Sequence, residues 1–490
     1  MTEQSSTEET TAVAYIPPTL SDLGHVHFIG MGGAGMSAIA RIMLGQGVPV
    51  SGSDAKASVG LSELGALGAT VHVGQAAGNI VGADTIVIST AIRDSNPELM
   101  AARAAGLRIL HRSQALAAAM ADDAVVAVAG THGKTTTTSM ITVMLKGAGV
   151  DASFAVGGTV QGLGVNAAHG EAPVFVAEAD ESDASFLNYR PNIAVVTNLE
   201  ADHLDHYGTA EAVFAAFEKF AALIPADGTL VACADDAGSL ALAAKTAASG
   251  TRCLSYGFAE GADIRLIPST QQGLHSTATL EFREGLLPRV QESPLTLRLQ
   301  VPGNHNLSNA AAAVAVAVAL GVDLESSLLA LSNFSGAARR FEAKGEGRGV
   351  SVYDDYAHHP TEVTAALKAA RIVAGEHKVH VLFQPHLFSR TREFAAEFAQ
   401  ALDLADTVAV LDIYPAREDP IPGVTSELIT RALRQDDGYA PDSSAAVRRL
   451  TDGAAAGDII LTIGAGDVTE FGPELVAALN GDVPIKGSDG

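Results

Sequence analysis

The stretch Val126–Ser139 reads VAVAGTHGKTTTTS. An apolar run of strand type meets Gly-Thr-His-Gly-Lys-Thr and then a string of hydroxyl residues. A phosphate-gripping loop between a strand and a helix is written this way, because a helix N-terminus offers unpaired N–H groups to an anion. Gly130 and Gly133 let the backbone wrap phosphates, Lys134 reaches the β and γ oxygens, and Thr135 can ligate magnesium. Val128 stands where the common G-x-x-x-x-G-K-T pattern has its first glycine, so the loop is a shortened form. A purely structural turn is the poorer account, since a lysine at a buried helix start calls for an anion.

Outward from this loop, short apolar runs alternate with Ala-rich helical stretches almost throughout. That predicts an α/β protein with largely parallel sheets. The 490 residues leave room for about three domains. We expect a polar tail over 1–20, then domains over 21–120, 121–336 and 337–490. The middle one adds an antiparallel patch, ADIRLIPST, HSTATLEF and LTLRLQVPG, whose period-two alternation suits a sheet wet on one side. The start, MTEQSSTEETTAVAYIPP, has no basic segment followed by an apolar one and reads as a floppy tail rather than an export signal. No apolar run reaches the about eighteen residues of a membrane helix, so membrane insertion is not expected. Cys233 and Cys253 are too few for a disulfide framework, which points to a reduced cytosol. A formal charge of −25 argues against general nucleic-acid binding. Anionic substrates must therefore be attracted by local loops, metals and a few arginines.

Other segments carry chemistry. HFIGMGGAGMSAIARIML places Gly30, Gly32, Gly33 and Gly35 between a strand and a helix, with Asp54 after the next strand. This is a pyrophosphate-type loop, and alone it favours a dehydrogenase as much as anything else; its bland reading is close helix–strand packing. In VFVAEADESDASF a strand ends at Glu178, followed by Asp180, Glu181 and Asp183, acids that repel one another unless exposed or bound to cations. In NIAVVTNLEADHLDHY, His203 follows another strand end. Taken alone, a solvated loop and a surface histidine account for both segments. Their position in the same sheet as Lys134 favours function. The His203–His206 spacing suits zinc, but no further Cys or His pattern supports it. In GNHNLSNAAAA, Asn306 and Asn309 lie one helical turn apart, and paired amides read the edge of a base such as adenine. Asn306 also suits a plain N-cap.

In this order the motifs GMGGAGMSAIA, GTHGKTTTT, EADESDASF, NLEADHLDHY, HNLSNAAAA, RRFE, DDYAHHPTEV, FQPHLFSRTREF and GAGD resemble the Mur ligase family, from about Ser21 to the C-terminal region. The shortened phosphate loop is the form that family uses. The resemblance implies a Rossmann-like UDP-binding domain, a central P-loop-type ATPase domain and a Rossmann-like C-terminal domain that takes the amino acid. It implies ATP-driven amide formation in bacterial cell-wall synthesis, in the cytoplasm. The lactyl carboxylate of UDP-N-acetylmuramate takes the γ-phosphate as an acyl phosphate, and the amine of L-alanine displaces it. ATP, two Mg²⁺ ions (with Mn²⁺ as substitute) and a monomer or weak homodimer go with this reading.

By the same resemblance, Gly130, Thr131, His132, Gly133, Lys134, Thr135 and Thr136 hold ATP, and Thr135, Glu178 and His203 hold metal. Asn306 and Asn309 meet adenine, and Arg340 clamps the γ-phosphate from the next domain. Asp355 either binds ribose or orients the amine. Gly32, Gly33, Gly35, Met36, Ser37, Asp54, His72, Ser89 and Thr90 serve the UDP-sugar. His359, His386 and Arg390 serve the amino acid, with an arginine–carboxylate pairing of the strong bidentate kind. An exposed basic turn is the bland account of Arg390. His358 and His359 are adjacent, so at most one faces the substrate. Lys219 does not align convincingly with the carbamylated lysine of related ligases. The rival readings are a recycling ligase of the same family that attaches a ready-made tripeptide, a nicotinamide-dependent dehydrogenase, and a non-catalytic ATP-operated switch.

Overall fold

The computed structural model describes residues 15–287, 294–416, 418–434 and 438–482. Of the expected tail, residues 1–14 lie outside the described residues. Tyr15, the first described, is held through its carbonyl oxygen by the Arg190 guanidinium.

Three sheets follow one another along the chain. The first holds β1 (Val26–Ile29), β2 (Val50–Asp54), β3 (Thr70–Val73), β4 (Thr85–Ile88) and β5 (Arg108–His111), all parallel, in the order 3-2-1-4-5. The strand order reverses beside β1, which opens a crevice at the loop that follows it.

The second sheet has ten strands: β6 (Ala124–Ala129), β7 (Ala152–Ala155), β8 (Ala167–Ala168), β9 (Ala172–Glu178), β10 (Ile193–Val196), β11 (Thr229–Cys233), β12 (Arg252–Gly257), β13 (Ile264–Gln272), β14 (His275–Phe282) and β15 (Leu295–Leu299). Their order is 15-14-13-12-11-10-6-9-7-8. The Ala-Val run of β6 is apolar at every position because helices cover both faces of an inner parallel strand. The antiparallel patch expected from sequence is β13 to β15. It runs on from the parallel strands through Tyr256↔Ile264 and Gly257↔Arg265, so both parts form one continuous sheet.

The third sheet holds β16 (Glu342–Gly347), β17 (Val350–Asp355), β18 (Val379–Phe383), β19 (Thr407–Val410) and β20 (Ile459–Ile463), ordered 16-17-20-18-19 with only β16 antiparallel.

Two helices of the middle layer place the site. Lys134–Gly147 is rich in Thr, a poor helix former, but Thr138, Ser139 and Thr142 donate their hydroxyls to carbonyls four residues earlier and so sit buried without loss. Asn304–Leu320 is nearly all Ala and Val past its first turns and is buried on every side, as such composition requires. It packs against Lys134–Gly147 and ends at Gly321 in the left-handed conformation. Among the described residues no helix is long and apolar enough to cross a membrane.

Candidate functional site

The C-terminal ends of the three sheets face a common cleft of about 500 Å³. Gly35 and Arg112 reach it from the first layer, Lys134 and Glu178 from the second, Arg340 and His358 from the third. A second cavity of about 320 Å³ adjoins it behind Gly133 and His132.

The phosphate loop is held tightly. Gly130 has φ +134°, and a Cβ there would lie 2.1 Å from Thr197 Oγ1. Gly133 has φ +82°, and a Cβ would lie 2.9 Å from Asn309 Oδ1. Both positions favour glycine, Gly130 more strictly, since its Cβ would also meet main-chain atoms at 3.0 Å. Lys134 Nζ donates to Gly130 O (2.8 Å), Thr131 O (3.2 Å) and Glu181 Oε1 (2.8 Å). Burial works to lower the Lys134 pKa, but Glu181, Asp180 and Glu178 outweigh it and raise it, so the ammonium is kept.

Thr135 Oγ1 donates to Glu178 Oε1 at 3.1 Å, and Gly157 N–H donates to Glu178 Oε2 at 2.7 Å. Burial nonetheless raises the Glu178 pKa, against the lowering effect of Lys134 and Arg340. A half-buried carboxylate whose desolvation the nearby cations do not fully offset, beside a threonine hydroxyl, is a fit place for a hard divalent cation. His203, at φ +55°, has Nε2 3.6 Å from Glu181 Oε1 and 3.7 Å from Asp202 Oδ2. Burial would lower its pKa, yet Glu181 and Asp202 raise it.

Glu181 was read from sequence only as one acid in a cluster. In the fold it is 2% exposed and stands between Lys134 and His203. The other loop residues are placed differently. His132 donates its N–H to Asn198 Oδ1, its carbonyl oxygen accepts from Thr197 Oγ1, and its ring points to the third layer. Thr131 Oγ1 accepts from Glu200 N–H. Thr136 lines the second cavity.

That second cavity gathers Asn306, Asn309, Arg340 and Asp355. Asn306 lies inside the first turn of its helix, whose N-cap is Gly303, so capping does not account for it. Its amide donates to Pro302 O at 2.7 Å. Asp355 ends β17 and accepts from Phe341 N–H (2.9 Å) and Ala357 N–H (2.8 Å). Burial pushes its carboxyl up to about 6, against Arg340 and these two hydrogen bonds. Of the two neighbouring arginines, Arg339 is tied to buried Asp354 (3.0 Å) and to Gly464 O (2.6 Å). Arg340 lies over the Tyr356 ring at 5.3 Å and lines both cavities.

At the acceptor end the adjacent histidines point different ways, as regular structure demands. His358 lines the cleft, whereas the His359 ring packs against His132 (4.8 Å) and Phe394 (5.0 Å). Of the two, His358 is the one that lines the cleft, and the His359 ring expected at the amino acid is turned toward the phosphate loop. His386 precedes the Phe388–Leu402 helix rather than sharing a turn with Arg390; it stacks on Tyr414 and lies 5.8 Å from His358. Arg390 is buried, not an exposed basic turn, and its guanidinium is 3.6 Å from Asp202 Oδ1. Burial and Arg390 among others push His358 down to about 3, against the raising effect of Glu362.

In the first layer Gly35 borders the cleft, while Met36 is buried in the core and Ser37 bonds back to Ala34 O. Asp54 accepts from Gly32 N–H at 2.9 Å, so its carboxylate braces the glycine loop. Gly33 is the N-cap of Ala34–Gly45. His72, on β3, lies 6.5 Å from the His27 ring. Ser89 is half-buried and Thr90 exposed, just past β4. Arg112, which sequence reading passed over, lies in the cleft 3.3 Å from Asp180 Oδ2. Lys219 is exposed on the Ala210–Ala221 helix.

Comparison with known proteins covers the same three layers. Residues 25–124 match the description "Mur ligase family, catalytic domain", 128–317 "Mur ligase middle domain" and 339–466 "Mur ligase, glutamate ligase domain". The chain is 66% identical to a UDP-N-acetylmuramate–L-alanine ligase of Renibacterium salmoninarum, over 94% of this chain and 97% of that one. It is 62% identical to the protein of that name from Paenarthrobacter aurescens, over 94% and 98%. Among solved structures, the UDP-N-acetylmuramate-alanine ligase of Thermotoga maritima aligns with a TM-score of 0.75 at 29% identity, covering 94% of this chain and all of that one. A murein peptide ligase of Psychrobacter arcticus aligns at 0.66 and 26% identity, with the same coverage.

Proposed function

The chain belongs to the Mur ligase family, and from that premise we propose that it joins L-alanine to UDP-N-acetylmuramate at the expense of ATP. The observation that carries this reading is the convergence on one cleft of Lys134 and Glu178 with Arg340 and His358 from the next layer and Gly35 and Arg112 from the first.

The carboxylate of the lactyl group is a poor electrophile until phosphorylated, and its approach to ATP brings two anions together. Lys134 holds the transferred phosphate, and Arg340 closes over it from the other side. Thr135 and Glu178 are the residues that would hold one Mg²⁺, and His203 with Glu181 a second. Such ions offset the repulsion between phosphate and carboxylate. Asn306 and Asn309 take the adenine in the smaller cavity, which Asp355 also lines. His358, kept neutral by its burial, lines the cleft as a hydrogen-bonding partner for the incoming amine, and Arg390 near it attracts the alanine carboxylate. The first layer grips the UDP diphosphate through its glycine loop. A monomer or weak homodimer goes with this reading, as does a cytoplasmic setting, where UDP-sugars are made.

Phosphate release from ATP and Mg²⁺ tests the reading. Release that needs both UDP-N-acetylmuramate and L-alanine, with a new amide product by mass, is the expected result. Release with a tripeptide in place of alanine would move the chain to the recycling ligases, to which the Psychrobacter neighbour belongs by name. No release with either acceptor would leave a nucleotide-binding switch.

A further inference from the structure

Between the phosphate loop and the third layer lies a group of side chains to which the steps of amide formation set out above give no part. His132 Nε2 is 3.6 Å from Glu200 Oε2, and the His132 and His359 rings lie 4.8 Å apart, tilted by 32°. One donor atom from each of His132, Glu200 and His359 falls within 4.8 Å of the other two. His359 is 6% exposed, and neither of its ring nitrogens has a hydrogen-bond partner among the described residues. His132 Nε2 makes no hydrogen bond either. A buried polar nitrogen left unpaired costs on the order of 1–3 kcal/mol. One such nitrogen from each of the two rings, close to the Glu200 carboxylate, therefore points to a ligand.

The donor set identifies its class. Two imidazole nitrogens and one carboxylate oxygen suit zinc with a fourth position open, whereas magnesium and calcium favour oxygen throughout. The surroundings orient the donors. Glu362 Oε1 is 3.3 Å from His132 Nδ1, a carboxylate behind a ligating imidazole. Thr361 Oγ1 donates to Glu200 Oε2 at 3.2 Å. The His132 main chain is fixed by Thr197 and Asn198. His132 and Glu200 belong to the second layer, His359, Thr361 and Glu362 to the third.

We propose that His132, Glu200 and His359 form a zinc site, separate from the ions beside the phosphates, that pins the phosphate loop to the C-terminal layer. An ion there ties Gly-Thr-His-Gly-Lys to the start of the Pro360–Ala374 helix and holds the two layers closed against each other.

The test is equilibrium dialysis of the full chain, stripped with chelator and free of nucleotide, against buffered Zn²⁺. One zinc per chain is expected, with Co²⁺ in its place showing the intense visible bands of four-coordinate cobalt. Glu200→Gln and His359→Asn each weaken zinc at least about tenfold, and Glu362→Gln about tenfold through its hold on His132. Glu200→Gln is isosteric on a half-buried side chain, so it reads out even where His359→Asn does not fold. The double variant Glu178→Gln/His203→Ala keeps the zinc. Zinc that vanishes in that double variant and survives Glu200→Gln belongs to the phosphate-side acids and overturns the proposal. So does the absence of stoichiometric zinc from the wild-type chain.

Discussion

Gly30–Gly33 and Gly130–Gly133 both follow an inner strand of a parallel sheet and both lead into a helix, yet their polar groups are engaged differently. In the first loop Gly30 and Met31 give their N–H groups to Ser53 O, Gly32 gives its own to Asp54, and Gly33 bonds back to Gly30 O. All of these partners lie in the same layer, and the loop carries no basic side chain. The second loop is braced from β10 by Thr197 and Asn198, touched by Asn309 from a distant helix, and centred on Lys134 with Glu181 beside it. Glycines set the shape of a backbone that can wrap an anion; a buried lysine among acids decides that charge is moved there. Alike in sequence pattern, the loops differ in what the rest of the fold brings to them.

The largest expected effect breaks the comparison at its charged end. Lys134→Ala should lower turnover by about a thousandfold or more, the scale of losing a central electrostatic stabiliser. UDP-sugar binding, measured by calorimetry without ATP, should stay near wild type. Loss of both would mean that the two loops serve one ligand. Next in size is the pH response of the third layer. The Asp355 carboxyl, raised to about 6 in the fold from 3.8, holds its proton more tightly folded than unfolded. Its contribution is therefore fully present below about pH 4 and lost as pH rises through about 6, a step on the order of 2–3 kcal/mol. Asp355→Asn should flatten that step in a plot of Tm against pH, at the cost of one backbone hydrogen bond of about 1 kcal/mol. An unchanged profile would assign the step to another group.

Much of this was legible before any coordinates. The phosphate loop, the Glu178 strand end and the order of the motifs are local, and local spacing is what a sequence displays. Five strands, β7, β8, β11, β12 and β16, do not stand out in the sequence; β8 is only Ala167–Ala168. β16, Glu-Ala-Lys-Gly-Glu-Gly, has no alternation at all; it is an edge strand with an irregular register between Ala343 and Gly345. The site residues that were missed have partners far away in the chain. Glu181 meets Lys134 from 47 residues off, Arg112 meets Asp180 across 68, and Thr361 meets Glu200 across 161. No window of sequence contains both members of such a pair. His358 and His359 are hard to tell apart for another reason: adjacent residues share every sequence feature except the direction in which the strand end and helix start turn them.

A paired glycine substitution sharpens the contrast between the loops at about 1–2 kcal/mol. Gly133→Ala places a Cβ in the left-handed region and against Asn309, so it should lower stability by that amount and raise the KM for ATP. Gly33→Ala, at φ −68° with its nearest atom 3.5 Å away, should stay within about 0.5 kcal/mol of wild type. Thermal unfolding of the two variants side by side reads the difference. Equal losses would mean that the two loops are equally constrained.

The smallest effect concerns Asp54, whose carboxylate braces Gly32 in the loop that lacks a lysine. Asp54→Ala removes that acceptor and leaves the loop free to move, which should weaken UDP-N-acetylmuramate binding by about fivefold, close to 1 kcal/mol for one hydrogen bond to a charged group at a partly exposed site. The KM for ATP should not change, since no atom of the second loop touches Asp54. The opposite sign is informative. Tighter binding in Asp54→Ala would mean that the carboxylate repels the diphosphate more than it steadies the loop, and that the first loop, too, is governed by charge rather than by backbone shape.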